Sequence, residues 1–258
     1  MNAVRGFQII IPTAFIVAIS SLGSFSSDEA GSATLEKLQS LAKAGDLQAQ
    51  LELGERYYLG EGVPRDPAKS AHWFQKAADQ GSAKAHCNLG VLYKFGEGVP
   101  RNQVKAAELM QKAAQQGHAQ AQYNLGIYYI RGEGVPVDYN QALQWLRKSA
   151  DQGYAPAMCD LGICYENGEG VKQDFKEAAR WVRKSAELGW SMGQYQLAFY
   201  YYHGAGVPKD LQKAAEWNRK ALEQGHPEAM GLDQAIQLEI ARGKDDQLGR
   251  NRKKNTNP

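Results

Sequence analysis

The chain has 258 residues, of which 43% are hydrophobic and 10% aromatic, a composition that supports a packed core and excludes general disorder. Its 30 Lys and Arg nearly balance 28 Asp and Glu, so the sequence lacks the strong basic excess expected of a nucleic-acid-binding surface. Length alone allows one or two domains.

Residues 1–27 differ from the rest. Arg5 precedes an apolar run from Ile9 to Ile19, and the small residues Ser20, Ser21, Gly23 and Ser24 follow. A positive start, a short apolar stretch and small residues at its exit describe a secretory signal peptide, with cleavage after Gly23 or Ser26. The run is shorter than the ~20 residues of a spanning helix. An uncleaved anchor over residues 7–22 is the alternative. No Cys follows the run, so no lipoprotein acceptor is expected. The body is therefore expected to be exported, periplasmic or secreted, with membrane contact only through such an anchor.

Leu35 to Gly45 reads as an isolated capping helix. A five-residue phrase then recurs every 36 residues: Gly60-Glu61-Gly62-Val63-Pro64, Gly96 to Pro100, Gly132 to Pro136, Gly168 to Lys172, and Gly204 to Pro208. A fixed period in this range marks a solenoid of stacked supersecondary units. In the first copy Ala49, Leu53 and Tyr57 share one helical face. Gly54 lies inside that helix, where glycine costs ~1 kcal/mol relative to Ala. Gly90, Gly126 and Gly162 repeat it, and Ala198 takes its place in the last copy. A repeated helix-weakening residue predicts a neighbouring helix too close for a larger side chain.

The Gly-x-Gly segment is expected to end the first helix in the left-handed cap conformation. Asp66 caps a second helix with Pro67 at its first position, and Asn102, Asp138, Asp174 and Asp210 are its equivalents. Trp73, Trp145, Trp181 and Trp217 recur inside this helix, with Leu109 in the second copy, and Gly81 and its equivalents stop it. The predicted copies span 46–81, 82–117, 118–153, 154–189 and 190–225. Residues 226–241 read as a C-terminal capping helix in which Asp233 and Gln234 replace the Leu–Gly pair. Residues 242–258 read as a disordered basic tail, with a basic docking tail as the alternative.

The pattern Ala49…Leu53-Gly54…Tyr57…Gly60-x-Gly62-Val63-Pro64…Asp66…Ala71-x-Trp73…Lys76-Ala77-Ala78…Gly81 resembles the Sel-one-like repeat family, relatives of the tetratricopeptide repeats. The resemblance covers residues 46–225. Lys172 in place of Pro, and Ala198 in place of Gly, depart from it without disturbing its phase. The resemblance implies an all-α fold, a right-handed superhelical solenoid of antiparallel helix pairs. It also implies a role in assembling complexes, and for exported bacterial members a link to envelope processes, signalling and host contact.

Positions that repeat are structural first. Tyr57, Tyr93, Tyr129, Tyr165 and Tyr201 read as packing, and Glu61, Glu97, Glu133 and Glu169 as loop-bracing groups. The Gly-x-Gly turns follow helices, whereas a dinucleotide fingerprint follows a strand. Function is expected where the repeat varies. By analogy with tetratricopeptide proteins, first helices line a concave groove. One row there is Glu52, Asn88, Asn124, Asp160 and Gln196; an amide both donates and accepts, so such a ladder can pair with an extended peptide backbone. A second row, Glu55, Val91, Ile127, Ile163 and Phe199, turns apolar after the first copy. Tyr200 or Tyr202 in the run Phe199–His203 is expected to be exposed, and Tyr is favoured at interfaces. The candidate partner-binding residues are Asn88, Asn124, Asp160, Gln196, Lys94 and Tyr202.

Cys87 and Cys159 lie two copies apart, beyond bridging range, and Cys159 and Cys164 point away from each other on one helix, so three free thiols are expected. Cysteine-rich relatives carry a Cys pair in each repeat, which this chain lacks. His72, His86, His118, His203 and His226 form no ligand motif, so no metal and no cofactor are expected. The resulting expectation is a non-enzymatic scaffold or adaptor that binds a protein or peptide through its concave face, not nucleic acid. The alternatives are an envelope hydrolase of the β-lactam or cell-wall type, as ascribed to the cysteine-rich relatives, and a membrane-anchored assembly factor.

Overall fold

The computed structural model describes residues 28–254, with side chains described from 34 to 243. The expected signal peptide or anchor lies outside the described residues. The described chain is helical throughout: α1 Asp28–Lys43, α2 Leu47–Leu59, α3 Pro67–Asp79, α4 Ala83–Phe95, α5 Gln103–Gln115, α6 Ala119–Arg131, α7 Tyr139–Asp151, α8 Ala155–Asn167, α9 Phe175–Glu187, α10 Ser191–His203, α11 Leu211–Glu223 and α12 Ala229–Lys254. Helices α2 to α11 form five antiparallel hairpins, and each hairpin packs on the next. The expected all-α solenoid with its 36-residue unit is what the chain folds into.

Each hairpin is closed by the same few contacts. The first glycine of the loop is left-handed, with φ +80° at Gly60 and +74° at Gly96. There it caps the first helix, the N–H of Gly60 donating to the carbonyl of Arg56 (2.8 Å). The N–H of Asp66 then reaches back to the carbonyl of Tyr57 (2.7 Å), and Asn102, Asp138, Asp174 and Asp210 repeat this bond onto Tyr93, Tyr129, Tyr165 and Tyr201. The carboxylate of Asp66 accepts from the N–H of Lys69 (3.0 Å), capping α3. One residue type therefore closes the loop with its backbone and starts the next helix with its side chain.

The second glycine of each loop does a different job. A Cβ on Gly98 would collide with the Pro67 carbonyl of the preceding hairpin, one on Gly134 with that of Gln103, and one on Gly206 with that of Phe175. Among the described residues, the nearest atom to a Cβ on Gly62 is Arg56 Nη1 at 3.8 Å. The second glycine thus sets the spacing between hairpins, and the first sets the turn within one.

The helix-embedded glycines pack as the sequence predicts. A Cβ on Gly54 would meet the Phe74 ring; on Gly126, Leu146 Cγ at 2.9 Å; on Gly162, Val182 Cγ2 at 2.6 Å and the Ala178 carbonyl at 2.9 Å. In the last copy the position of Phe74, Met110, Leu146 and Val182 is taken by Asn218, whose amide is drawn to the Ala229 carbonyl (2.8 Å). There the glycine position holds a fully buried Ala198.

At the opposite edge a second latch recurs in alternate copies. Gln80 Nε2 donates to Gln50 Oε1 (2.8 Å), Gln152 to Gln122 (2.7 Å) and Gln224 to Gln194 (2.8 Å). In the fourth copy the same two positions are Met158 and Leu188, so the pair changes from polar to apolar together.

The ends differ from expectation. α1 begins at Asp28, earlier than the reading from Leu35. Its Leu35, Leu38 and Ala42 pack with Leu53, Tyr57 and Trp73, so it takes the place of a second helix before the first copy. α12 does not stop at Ala241 but continues to Lys254, which corrects the reading of 242–254 as disordered. Those residues lack apolar periodicity, yet Lys, Arg, Gln and Leu form helix readily and no Pro interrupts them before Pro258. α12 begins as a first helix, and among the described residues no second helix follows to pack on it, so Gln234 at the glycine position is exposed.

Candidate functional site

The face made by α2, α4, α6, α8 and α10 is where the sequence places binding. Its packing glycines and leucines repeat, while its side positions change from copy to copy. The row of candidates is far more enclosed than a groove-lining ladder would be. Asn124 is 1% exposed and its Nδ2 faces Met110 Sδ (3.8 Å), toward the second helix. It is withdrawn as a groove residue. Asn88 and Asp160 are each 8% exposed, and Gln196 is half-buried. Most of this row is enclosed by neighbouring helices and does not stand on an open face.

Most of the row serves contacts between copies. Asp160 accepts from Tyr123 Oη of the preceding copy (3.0 Å). Burial pushes its carboxyl up to about 6; Glu169 adds to the rise, and the Tyr123 hydroxyl and Arg131 oppose it. Gln196 Nε2 (3.0 Å) and Tyr200 Oη (2.7 Å) both donate to Glu166 Oε2 of the fourth copy. Glu166 is also held above the usual carboxylate range, first by burial, against the pull of those two donors. Lys84 Nζ pairs with Glu55 Oε1 at 2.6 Å, joining the first two copies.

Asn88 stands apart. Its Nδ2 is buried and makes no hydrogen bond with another described residue, although it belongs to the same row. A buried donor left unsatisfied costs ~1–3 kcal/mol.

Lys94 is corrected as well. It is 8% exposed, its Nζ pairs with Glu133 Oε2 of the next loop at 2.7 Å, and it lies 4.8 Å from the Tyr128 ring centroid. Burial lowers its pKa against that carboxylate. It clasps two copies together and is not a groove cation. The repeated loop glutamates brace in the same way, Glu97 accepting from Arg65 of the preceding copy (2.8 Å).

Tyr202 keeps its candidacy. Tyr200 is fully buried and Tyr201 nearly so, which leaves Tyr202 half-buried beside Lys209 Nζ, 5.2 Å from its ring. Phe199, half-buried, meets His203 at a tilt, 4.2 Å between ring centroids, and Tyr202 meets His203 edge-on at 4.8 Å. Together with Ile163 they make the fourth and fifth copies aromatic and apolar on this face. The first two copies present the Glu55–Lys84 pair instead.

The sequence reading missed the ties of Glu166 and Tyr123. The available signal was a polar residue on one first helix facing a complementary one roughly 30–37 positions later.

Cys87, Cys159 and Cys164 are free and buried. Burial pushes the Cys87 thiol up to about 12 and holds the other two well above the ordinary range. A thiol so placed is a poor nucleophile at neutral pH.

Five consecutive matches to the sequence profile of the Sel1 repeat cover residues 47–82, 83–118, 119–154, 155–190 and 191–226. A 47-residue stretch is 40% identical to the secretory immunoglobulin A-binding protein EsiB of Escherichia coli, covering 18% of this chain and 10% of that protein. The fold is similar to the crystal structure of a protective antigen of uropathogenic Escherichia coli that displays an SLR fold, at 37% identity and a TM-score of 0.71. That match covers 76% of this chain and 42% of the antigen. It is also similar to a Sel1 repeat protein of Oxalobacter formigenes, at 33% identity and a TM-score of 0.71, over 78% of this chain and 87% of that one. The chain thus spans a tenth of the first relative and less than half of the second.

Proposed function

Since this chain belongs to the Sel1 repeat family, whose members are in general protein-interaction scaffolds, we propose that it is a non-enzymatic scaffold binding a protein or peptide along its first-helix face. The observation that carries this reading is a face whose chemistry changes along the stack while the packing beneath it repeats. A solenoid presents such an extended surface to a partner. The partner is expected to lay an apolar or aromatic segment against Phe199 and Tyr202 and to reach polar groups toward Asn88. Of the six candidate residues, Asn88 and Tyr202 are retained, Asp160 and Gln196 support the face from within, and Asn124 and Lys94 are dropped.

Export, periplasmic or secreted, belongs to the same proposal. It rests on the signal-like residues 1–27 and accords with the description of one relative as a protective antigen. Among the described residues no helix is long and apolar enough to cross a membrane.

Affinity capture from a cell-envelope extract, quantified by mass spectrometry, tests the reading. A partner enriched on the intact protein should be lost from an Asn88→Ala/Tyr202→Ala variant. It should be retained by Gln75→Ala/Gln111→Ala, which alters exposed second-helix residues. Truncating one aromatic anchor and one amide that a partner would satisfy corresponds to roughly tenfold or more in affinity. Equal enrichment on both variants would remove the first-helix face from the account.

A further inference from the structure

We propose that the Gly-x-Gly loop edge of the solenoid docks on an anionic lipid bilayer. This goes beyond the proposed groove and uses a different surface. First helices end and second helices begin at this edge, so every long loop lies along it. Four large apolar side chains stand out from it in consecutive copies: Val104 (57% exposed), Val137 (54%), Tyr139 (38%) and Phe175 (39%). Val137 takes the place of Arg65, Arg101, Gln173 and Lys209 in the other copies, so the apolar residue is a local choice and not a packing requirement.

The charges around this strip are unequal in availability. Asp138 and Asp174 cap the α7 and α9 N-termini, Glu133 pairs with Lys94, and Glu169 accepts from Asn167 (3.1 Å). Arg101, Lys172 and Lys176 are exposed and make no ion pair with any described residue. Lys172 is the residue that interrupts the Gly-x-Gly-Val-Pro phrase. Apolar side chains flanked by unpaired cations suit a surface with an oily interior and phosphate at its rim.

Both ends of the described chain meet the same edge. α1 runs antiparallel to α2 and so opens there at Asp28, with eight residues between it and the apolar run that closes at Ile19. α12 crosses the edge near Glu239, which pairs with Lys209 at 2.6 Å. It continues to Lys254, so residues 242–254 extend past the loops by ~20 Å at 1.5 Å per residue. This extension holds six Lys or Arg against two Asp. A basic helix leaving at this edge beside an apolar strip flanked by unpaired cations selects a bilayer over a second copy or another protein.

The test uses the full chain with an environment-sensitive fluorophore at Val137→Cys, and separately at Asp151→Cys on the opposite end of α7. The three native thiols are buried and leave the new one selectively reactive. On vesicles containing phosphatidylglycerol the Val137 label should shift to the blue and be quenched by a lipid-borne quencher, while the Asp151 label should not. High salt should reverse the shift, since exposed charges are screened within a few ångströms at 1 M. Lys172→Ser/Lys176→Ser should weaken it roughly tenfold or more. No shift at Val137, equal shifts at both positions, or equal shifts on uncharged phosphatidylcholine would overturn the proposal. A shift that grows with protein concentration without vesicles would also overturn it and assign the edge to a second copy. Each of these outcomes leaves the groove reading untouched.

Discussion

Gly162→Val is expected to destabilise the solenoid by ~3 kcal/mol or more, while Gly90→Ala should leave its stability within about 0.5 kcal/mol. The difference lies in what the new side chain meets. At Gly162 the Cβ alone would sit 2.6 Å from Val182 Cγ2 and 2.9 Å from the Ala178 carbonyl, a rigid branched side chain and a backbone atom. Neither can move without separating α8 from α9, and the second γ-methyl of Val adds to the overlap. At Gly90 the nearest atoms are the Met110 methyl at 3.2 Å, the far end of a flexible side chain, and the Ala106 carbonyl at 3.3 Å, so a displacement of a few tenths of an ångström makes room for one methyl. The ~1 kcal/mol that Ala gains over Gly inside a helix offsets the small displacement. Urea unfolding of both variants measures this. Similar midpoints for the two would show that the repeated spacing of these glycines along the chain is not set by helix contact.

Asp160→Asn is expected to stabilise the protein by ~2–3 kcal/mol at pH 7.5 and to have little effect at pH 4. The folded carboxyl titrates at about 6, above its ordinary ~3.9. The folded state therefore holds the proton more tightly than the unfolded chain. Below about pH 4 both states are protonated and burial of the acid costs little. As pH rises from 4 to 6 the unfolded chain ionises first and stability falls. Above 6 the folded state carries a buried charge that Tyr123 Oη and Arg131 compensate only in part. Asparagine can still accept from Tyr123 and carries no charge, so the fall between pH 4 and 6 should flatten. Unfolding midpoints across that range decide it. An unchanged slope in the variant would mean that Asp160 is hydrated in solution.

The architecture was legible because the period carries it. Gly54 and its equivalents announced close helix contact, and the capping residues at 66, 102, 138, 174 and 210 placed each second helix. The second glycine of each loop was legible only as a turn residue. Its contact with the preceding hairpin depends on how copies stack, which no single repeat displays. The same gap explains Asn124 and Lys94. Helical spacing puts them on the outward face of their own helix, but it says nothing about how near the helices and loops of the neighbouring copy stand. Once the hairpins are drawn together by those loop glycines, Asn124 is enclosed and Lys94 reaches Glu133. Tyr202 was separable from Tyr200 only in the fold, where Tyr200 turns inward to Glu166. The helical extension past Ala241 escaped notice because it has no apolar stripe, and a helix that leaves the stack needs none.

The reading as a scaffold comes down to which helices a partner covers. Hydrogen–deuterium exchange of the protein alone and with its captured partner measures this directly. Slowed exchange confined to α4, α6, α8 and α10 is the predicted result, strongest at the carboxyl-terminal end of α10 around Tyr202. Slowed exchange confined to the second helices α5, α7, α9 and α11, with the first helices unchanged, would contradict it.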